Sequence, residues 1–311
     1  MSLTARKRIL VDIKNIKKNE DLEKCGIFVH FNEENIYNAK ALIMGPSDTP
    51  YEKGYYFFDI NFPSDYPMEP PKVKMMTLKS GVRFNPNLYT CGKVCLSIIN
   101  TWHGPGWTSC LTLNSVLLSI QSLMNEIPIR NEPGFESEMK DGDISKRYNK
   151  IIEYHNILVA VVKMFEETPY GFESFRPIME DLFLKNHKFY YDYLDSISKY
   201  DGKTFTTKIY SLCQKFEVYN LKSKLDKILT SLNIDTTSDT KVTTTEEKTK
   251  KKKPTAKASD FEEGYRLLSD NDNNLYEVKV VTTNKGLTYK RWVPFKVDPS
   301  LELYPDLSLH I

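Results

Sequence analysis

Along the chain the spacing of apolar positions changes period several times, and each change predicts an element. Over residues 4–17, Ile9, Ile13 and Ile16 recur at helical spacing with Leu10 beside them, while Arg6, Lys7, Lys14 and Lys17 occupy the opposite face. An amphipathic helix is predicted there. The period then shortens. Residues 37–44, ending at Gly45-Pro46, and 55–62, ending at Pro63, read as strands joined by a hairpin connection over 48–54. Pro67, Pro70 and Pro71 have no N–H to give a ladder, and they separate these strands from a third at 72–76. Helical spacing returns at Val116, Leu117, Ile120, Leu123 and Met124, behind a Thr112 suited to cap the helix. That stripe is expected to pack on the sheet, which gives an α+β layout.

From about Ser145 to residue 232 the pattern predicts helix almost throughout. Ile151, Ile152, Leu158, Val159, Val162 and Phe165 form the strongest stripe, Pro169 and Gly171 interrupt it, and Phe183, Phe189, Tyr190, Tyr193 and Leu194 resume it. The next stretch, rich in Thr, Ser and Asp and carrying a lysine run at 250–253, has little to bury and reads as a disordered linker. Strand character ends the chain: 275–281 and 287–293 flank Asn284-Lys285-Gly286 as a hairpin, which needs further strands or a surface to be stable. The expected bodies are therefore 1–140, a helical extension at 141–232, a linker at 233–258 and a small β module at 259–311.

Composition narrows the class. At 311 residues and 40% apolar content the chain can bury one full core and a smaller second body. Its apolar runs are too short for a membrane span, and the basic start leads into an amphipathic helix, so neither a membrane partner nor a signal peptide is expected. The five cysteines (Cys25, Cys91, Cys95, Cys110 and Cys213) are odd in number and contain no Cys-x-x-Cys pair; reduced thiols in the cytoplasm or nucleus are expected, with no metal site and no cofactor. A formal charge of +2 argues against general nucleic-acid affinity.

The candidate chemistry lies in Asn85-Pro86-Asn87-Leu88-Tyr89-Thr90-Cys91-Gly92-Lys93-Val94-Cys95-Leu96-Ser97-Ile98, followed by Trp102 and Trp107. A thiolate attacking an acyl carbon generates an oxyanion, and a nearby asparagine NH2 can stabilise it. Cys95 is the candidate nucleophile and Asn87 the candidate donor. A Cys95–His103 protease pair would need the loop to fold back, and no third orienting group is evident.

The motifs Gly45-Pro46-Ser47-Asp48-Thr49-Pro50-Tyr51, Tyr66-Pro67-Met68-Glu69-Pro70-Pro71-Lys72-Val73, Asn85-Pro86-Asn87 and Gly92-Lys93-Val94-Cys95-Leu96, with Trp102 and Trp107, resemble in order and spacing those of the ubiquitin-conjugating enzymes. The resemblance covers residues 1 to about 140. Phe84-Asn85-Pro86-Asn87, Asn131-Glu132-Pro133-Gly134-Phe135-Glu136 and the helical extension resemble the large Z-type subfamily in particular. What this implies is the ubiquitin-conjugating fold: an N-terminal helix, a four-stranded antiparallel sheet, an active-site loop and packed helices.

The resemblance also implies roles. Cys95 is the thiol that takes ubiquitin or a ubiquitin-like modifier as a thioester from an activating enzyme and yields it to a lysine of a protein substrate or to a ligase cysteine. Asn87 stabilises the oxyanion or holds the loop in shape. Asn131 and Glu132 stand near the position of the family's loop acid, with Glu132 preferred. Arg6, Lys7, Arg8 and Lys14 form the docking face for the activating enzyme, and Met68 and Trp107 the grip for a ubiquitin ligase. Two departures stand out. The family's His-Pro-Asn is Asn85-Pro86-Asn87 here, so the histidine's hydrogen bonds must be made differently. Its Ser-Pro-Ala after the tryptophan is Thr108-Ser109-Cys110, which predicts a looser ligase-contact loop. The rival expectation is an inactive adaptor that binds ubiquitin or a ligase; the presence of both Cys95 and Asn87 argues against it.

Overall fold

A computed structural model describes residues 3–78, 81–238, 266–268, 275–282 and 288–294. Helix α1 (Leu3–Lys18) buries Ala5, Ile9 and Asp12, and a short α2 (Glu20–Lys24) leads into the first strand. Strands β1 (Ile27–Phe31), β2 (Asn38–Met44), β3 (Tyr55–Asn61) and β4 (Lys72–Met75) pair antiparallel in chain order. Helix α3 (Leu113–Leu123) starts at Thr112, whose hydroxyl accepts from Ser115 N in a reciprocal capping box.

Strand β1 completes the four-stranded sheet that the resemblance implies but is absent from the reading of apolar spacing, and the sheet itself explains why. Its two faces are both covered, so alternation of apolar and polar residues is lost. Tyr56, Phe58 and Ile60 of β3 face a core shared with Val116, Leu117 and Ile120 of α3, whereas Tyr55 and Phe57 face a second core built with the extension. Val29 and Phe31 of β1 pack on the first core and Phe28 on the second.

The second core comes from α4 (Asp143–His155), a π-helical run over Asn156–Lys163, a short α5 (Met164–Glu166), α6 (Arg176–Ser196) and α7 (Val218–Ser238). Phe57 meets Phe172 and Phe175 at 5.1 and 5.9 Å between ring centroids. Burial of each such ring contributes roughly 1.5–3 kcal/mol. Buried polar bonds fix the same junction. Tyr190 donates to Lys53 O at 2.9 Å; Tyr56 donates to Asn156 Oδ1 at 2.7 Å, and Asn156 Nδ2 to Glu52 O at 2.8 Å. Gly54 permits that approach, since a Cβ there would lie 1.9 Å from Asn156 Oδ1.

Continuous helix over the extension is corrected by a hairpin, β5 (Thr204–Thr206) with β6 (Cys213–Lys215). Strands this short carry no readable period. They are held by Phe205, which lies 4.5 Å from the Phe216 ring, and by Lys150 above Tyr200 at 4.1 Å. Helix α7 reaches Ser238, so residues 233–238 of the expected linker are helical; its disorder over the following stretch falls outside the described residues. Residues 1–240 form one compact unit and 241–311 another. In the second, β7 (Arg266–Leu268), β8 (Leu275–Thr282) and β9 (Thr288–Pro294) make an antiparallel sheet that gives the hairpin its third strand, with Val278 buried. The turn at 284–286 lies outside the described residues. Among the described residues no helix is long and apolar enough to cross a membrane.

His155, where α4 passes into the π run, is 2% exposed, and burial pushes its imidazole down to about 4. The folded chain therefore holds it neutral while the unfolded chain protonates near 6.5. Between those values the unfolded state binds the extra proton, so this stability contribution is present above about pH 6.5 and falls with pH, by about 2 kcal/mol at pH 5. His155→Gln is expected to flatten the acid-side loss of melting temperature between pH 7 and 5; an unchanged slope would mean that His155 does not drive it.

Candidate active site

The Cys95 loop is pinned from three directions. Gly92 stands at φ +90°, and a Cβ there would meet Met75 O at 2.6 Å; only glycine lets the loop lie against β4, where Met75 N donates to Gly92 O at 2.8 Å. Thr101 holds the far side, its hydroxyl donating to Val94 O at 2.7 Å and accepting from Leu96 N at 2.9 Å. Asn87 brackets the cysteine itself. Cys95 N donates to Asn87 O at 2.8 Å, and Asn87 Nδ2 donates to Cys95 O at 2.7 Å.

Cys95 is fully buried, whereas Cys91 on the neighbouring turn is exposed. A reactant would thus reach the Cys95 sulfur only after surrounding side chains shift. The Asn87 amide lies against the backbone of the residue it was expected to serve. In this arrangement it holds the loop, and its buried Oδ1 has no hydrogen-bond partner among the described residues. His103 is exposed, with its ring 5.8 Å from that of Trp102.

Asn85 makes the bonds that its departure from the family's histidine left open. Its Nδ2 donates to Leu123 O at 2.7 Å and to Tyr51 Oη at 3.0 Å; its Oδ1 accepts from Asn87 N at 2.9 Å and from Asn131 Nδ2 at 3.2 Å. Tyr51 in turn donates to Phe84 O at 2.6 Å. Every hydrogen-bonding direction of this buried amide is engaged with the loop's supports. Asn131 also donates to Leu123 O at 3.1 Å, and so braces Asn85 from the position that the resemblance gives to the loop acid.

Glu132 is not a free loop carboxylate. It accepts a hydrogen bond from the Tyr210 hydroxyl, at the tip of the β5–β6 hairpin. The Arg83 guanidinium is sandwiched between the Tyr89 and Tyr210 rings, 3.8 and 4.1 Å from their centroids, and donates to Pro86 O at 2.6 Å. Burial first, and the Glu132 bond second, push the Tyr210 phenol up, which keeps it a donor. Sequence reasoning missed Arg83 and Tyr210; an isolated arginine and a tyrosine far along the chain leave no motif.

On α1, Arg6, Lys7 and Lys14 are exposed, and Arg8 is half-buried. Its guanidinium donates to Ser109 O at 2.7 Å and to Leu111 O at 2.6 Å, and lies 3.4 Å from the buried Asp12, which also accepts from the Tyr66 hydroxyl. Arg8 thus ties down the loop that lacks the family's proline, contrary to the expected loosening. Burial raises the Asp12 carboxyl above its ordinary range, with Tyr66 and Arg8 opposing. Arg8→Ala is expected to cost about 1.5–3 kcal/mol, with faster hydrogen exchange at the Leu111 amide; unchanged exchange there would remove Arg8 from this role. Met68 is 70% exposed, and Trp107 Nε1 donates to Pro67 O at 2.7 Å, which joins the two loops expected to meet a ligase.

This architecture, a helix before a four-stranded sheet and a clamped cysteine loop after it, is that of the ubiquitin-conjugating enzymes. Residues 8–155 match the sequence profile of that family, described as "Ubiquitin-conjugating enzyme", and this segment of the chain is a domain of that family. It is 47% identical over 193 residues to "Ubiquitin-conjugating enzyme E2 Z" of Xenopus tropicalis, covering 62% of this chain and 59% of that protein. To the Homo sapiens protein of the same name it is 48% identical over 184 residues, covering 59% and 51%. "Probable ubiquitin-conjugating enzyme protein 17" of Caenorhabditis elegans is 39% identical over 183 residues, 56% of this chain and 25% of its own length. The chain thus spans little more than half of the E2 Z proteins it matches.

Proposed function

We propose that the chain is a ubiquitin-conjugating transferase of the Z type, working through a thioester on Cys95. The Cys95 thiolate attacks the carbonyl carbon of the modifier's C-terminal thioester on an activating enzyme; a new C–S bond forms and the activating enzyme's thiolate leaves. One thioester replaces another, so little acid or base help is needed. In the second step a lysine amine attacks, the C–N bond forms, and Cys95 departs as thiolate. Lysine, with an ordinary pKa near 10.4, must give up a proton to react at neutral pH. Glu132 is the carboxylate proposed to line its approach and receive or order that proton, and Asn87 the amide proposed to turn toward the oxyanion once the carbonyl is in place. A ligase cysteine can take the lysine's part.

The observation that carries this reading is the double bracket of Asn87 on Cys95, in a loop whose sequence belongs to the family. Ubiquitin or a ubiquitin-like modifier, an activating enzyme docking on Arg6, Lys7 and Lys14, and a ligase meeting Met68 and Trp107 are the partners this reading implies, in the cytoplasm or nucleus. The test is to incubate the full chain with candidate activating enzymes, ATP and each modifier, then run non-reducing gels. A band lost on adding thiol supports the reading. Binding of the modifier without such a band, across activating enzymes proven active on other acceptors, would favour the adaptor.

A further inference from the structure

Tyr210 sits in a loop, 207–212, that is tightly closed on itself: Thr207 N donates to Leu212 O at 2.9 Å, and Ile209 N to Thr207 Oγ1 at 3.2 Å. Leu212 is buried in the core of the catalytic body. At the tip, Tyr210 has φ 54° and ψ 18°, and Ser211 follows with φ 50°. Two successive non-glycine residues in the left-handed region are costly, and such strain persists where surrounding contacts hold it. Two of the contacts held here lead to the active-site loop. The Tyr210 hydroxyl binds Glu132, next to the Asn131 that braces Asn85, and its ring lies on Arg83, which grips Pro86 O and whose own carbonyl accepts from Tyr148 Oη at 3.0 Å. A single side chain of the extension therefore touches both Arg83, which grips Pro86 O, and Glu132, whose neighbour Asn131 braces Asn85.

We propose that Tyr210 is a positioning residue for transfer to lysine, through which the helical extension aims the Glu132 carboxylate and steadies the Pro86 carbonyl. This rests on the thioester reading above. A carboxylate on an exposed loop samples many directions, and a donor held in the packed hairpin loop restricts them to the one bonded to Tyr210. Charging needs no such carboxylate, so the influence of the Tyr210 hydroxyl falls on the second step alone.

The full chain and its Tyr210→Phe, Tyr210→Ala, Glu132→Gln and Tyr210→Phe/Glu132→Gln variants are charged, freed of activating enzyme, and discharged onto free lysine between pH 7 and 9.5, with melting temperatures measured on the same preparations. Tyr210→Phe keeps the ring on Arg83 and loses only the hydroxyl. It is expected to charge at the parent rate but discharge about tenfold more slowly at pH 7. The deficit should shrink toward pH 9.5, where solvent removes more of the lysine's proton, a pattern that simple damage to the fold does not give. Tyr210→Ala should be slower again, and the double variant no slower than Glu132→Gln. Discharge of Tyr210→Phe at the parent rate, a deficit constant with pH, or additive losses in the double variant would overturn the assignment while leaving the thioester intact. A parent chain that takes no modifier at all overturns the thioester reading and this assignment with it.

Discussion

Cys95→Ser is expected to abolish the thiol-reducible adduct completely, and to leave in its place an oxygen ester that survives thiol and is split by hydroxide. Serine is nearly isosteric with cysteine, and the bonds that seat residue 95 run through its backbone to Asn87, so the substitution leaves the clamp standing. What changes is the nucleophile: a hydroxyl with a far higher pKa than a thiol, which forms the ester slowly and holds it more firmly. Cys91→Ser should charge as the parent does. Cys91 is exposed on the turn before the clamped segment, and neither Asn87 nor Thr101 is bonded to it. Parallel reducing and non-reducing gels decide the matter. Charging that survives in Cys95→Ser as a reducible band, and disappears in Cys91→Ser, would move the nucleophile to Cys91 and dissolve the proposed site.

The parts of this molecule legible in its sequence are those where one face is wet or where a motif is contiguous. Helix α1 announces itself because Ile9, Ile13 and Ile16 oppose Arg6, Lys7 and Lys14, and α3 because Thr112 precedes an uninterrupted stripe. Strand β1 does not, since the extension covers the sheet's second face and removes the polar alternation that marks a half-buried strand. The β5–β6 hairpin is too short to have a period. The site divides in the same way. Cys95 and Asn87 lie in one run of sequence, and their meeting could be expected from it. The Tyr210–Glu132 bond closes a loop of chain that passes through most of the extension, and the Arg8 clamp on Ser109 and Leu111 joins α1 to a segment beyond the active site. Such pairings depend on tertiary packing, and a solvated-looking charge on a helix gives no local sign of the carbonyls it will meet.

Asn85 and Asn87, adjacent in the motif, are expected to fail in different ways. Asn85 is fully buried and bonded on both its amide oxygen and its nitrogen. Asn85→Ala leaves the buried Asn87 N–H without its acceptor and takes from Asn131 Nδ2 one of its two, and a buried orphan costs about 1–3 kcal/mol. A loss near 3 kcal/mol is expected, with charging and discharge both impaired because the loop carrying Cys95 loses its footing. Asn85→Asp sharpens the test by keeping the volume and the acceptor while turning the donor that faces Leu123 O into a second acceptor. Burial and that carbonyl should raise the new carboxyl above its unfolded value, so the deficit grows as pH rises from the unfolded pKa through the folded one. Asn87→Ala removes one donor to Cys95 O and no bond to the surrounding scaffold from its side chain. Its melting temperature should fall less than that of Asn85→Ala, while discharge to lysine slows by about 10²-fold, the usual cost of losing an oxyanion donor, and charging slows less. If Asn87→Ala instead loses charging and discharge equally, with a melting temperature as low as that of Asn85→Ala, the amide serves only as a clamp and the oxyanion must be stabilised from elsewhere.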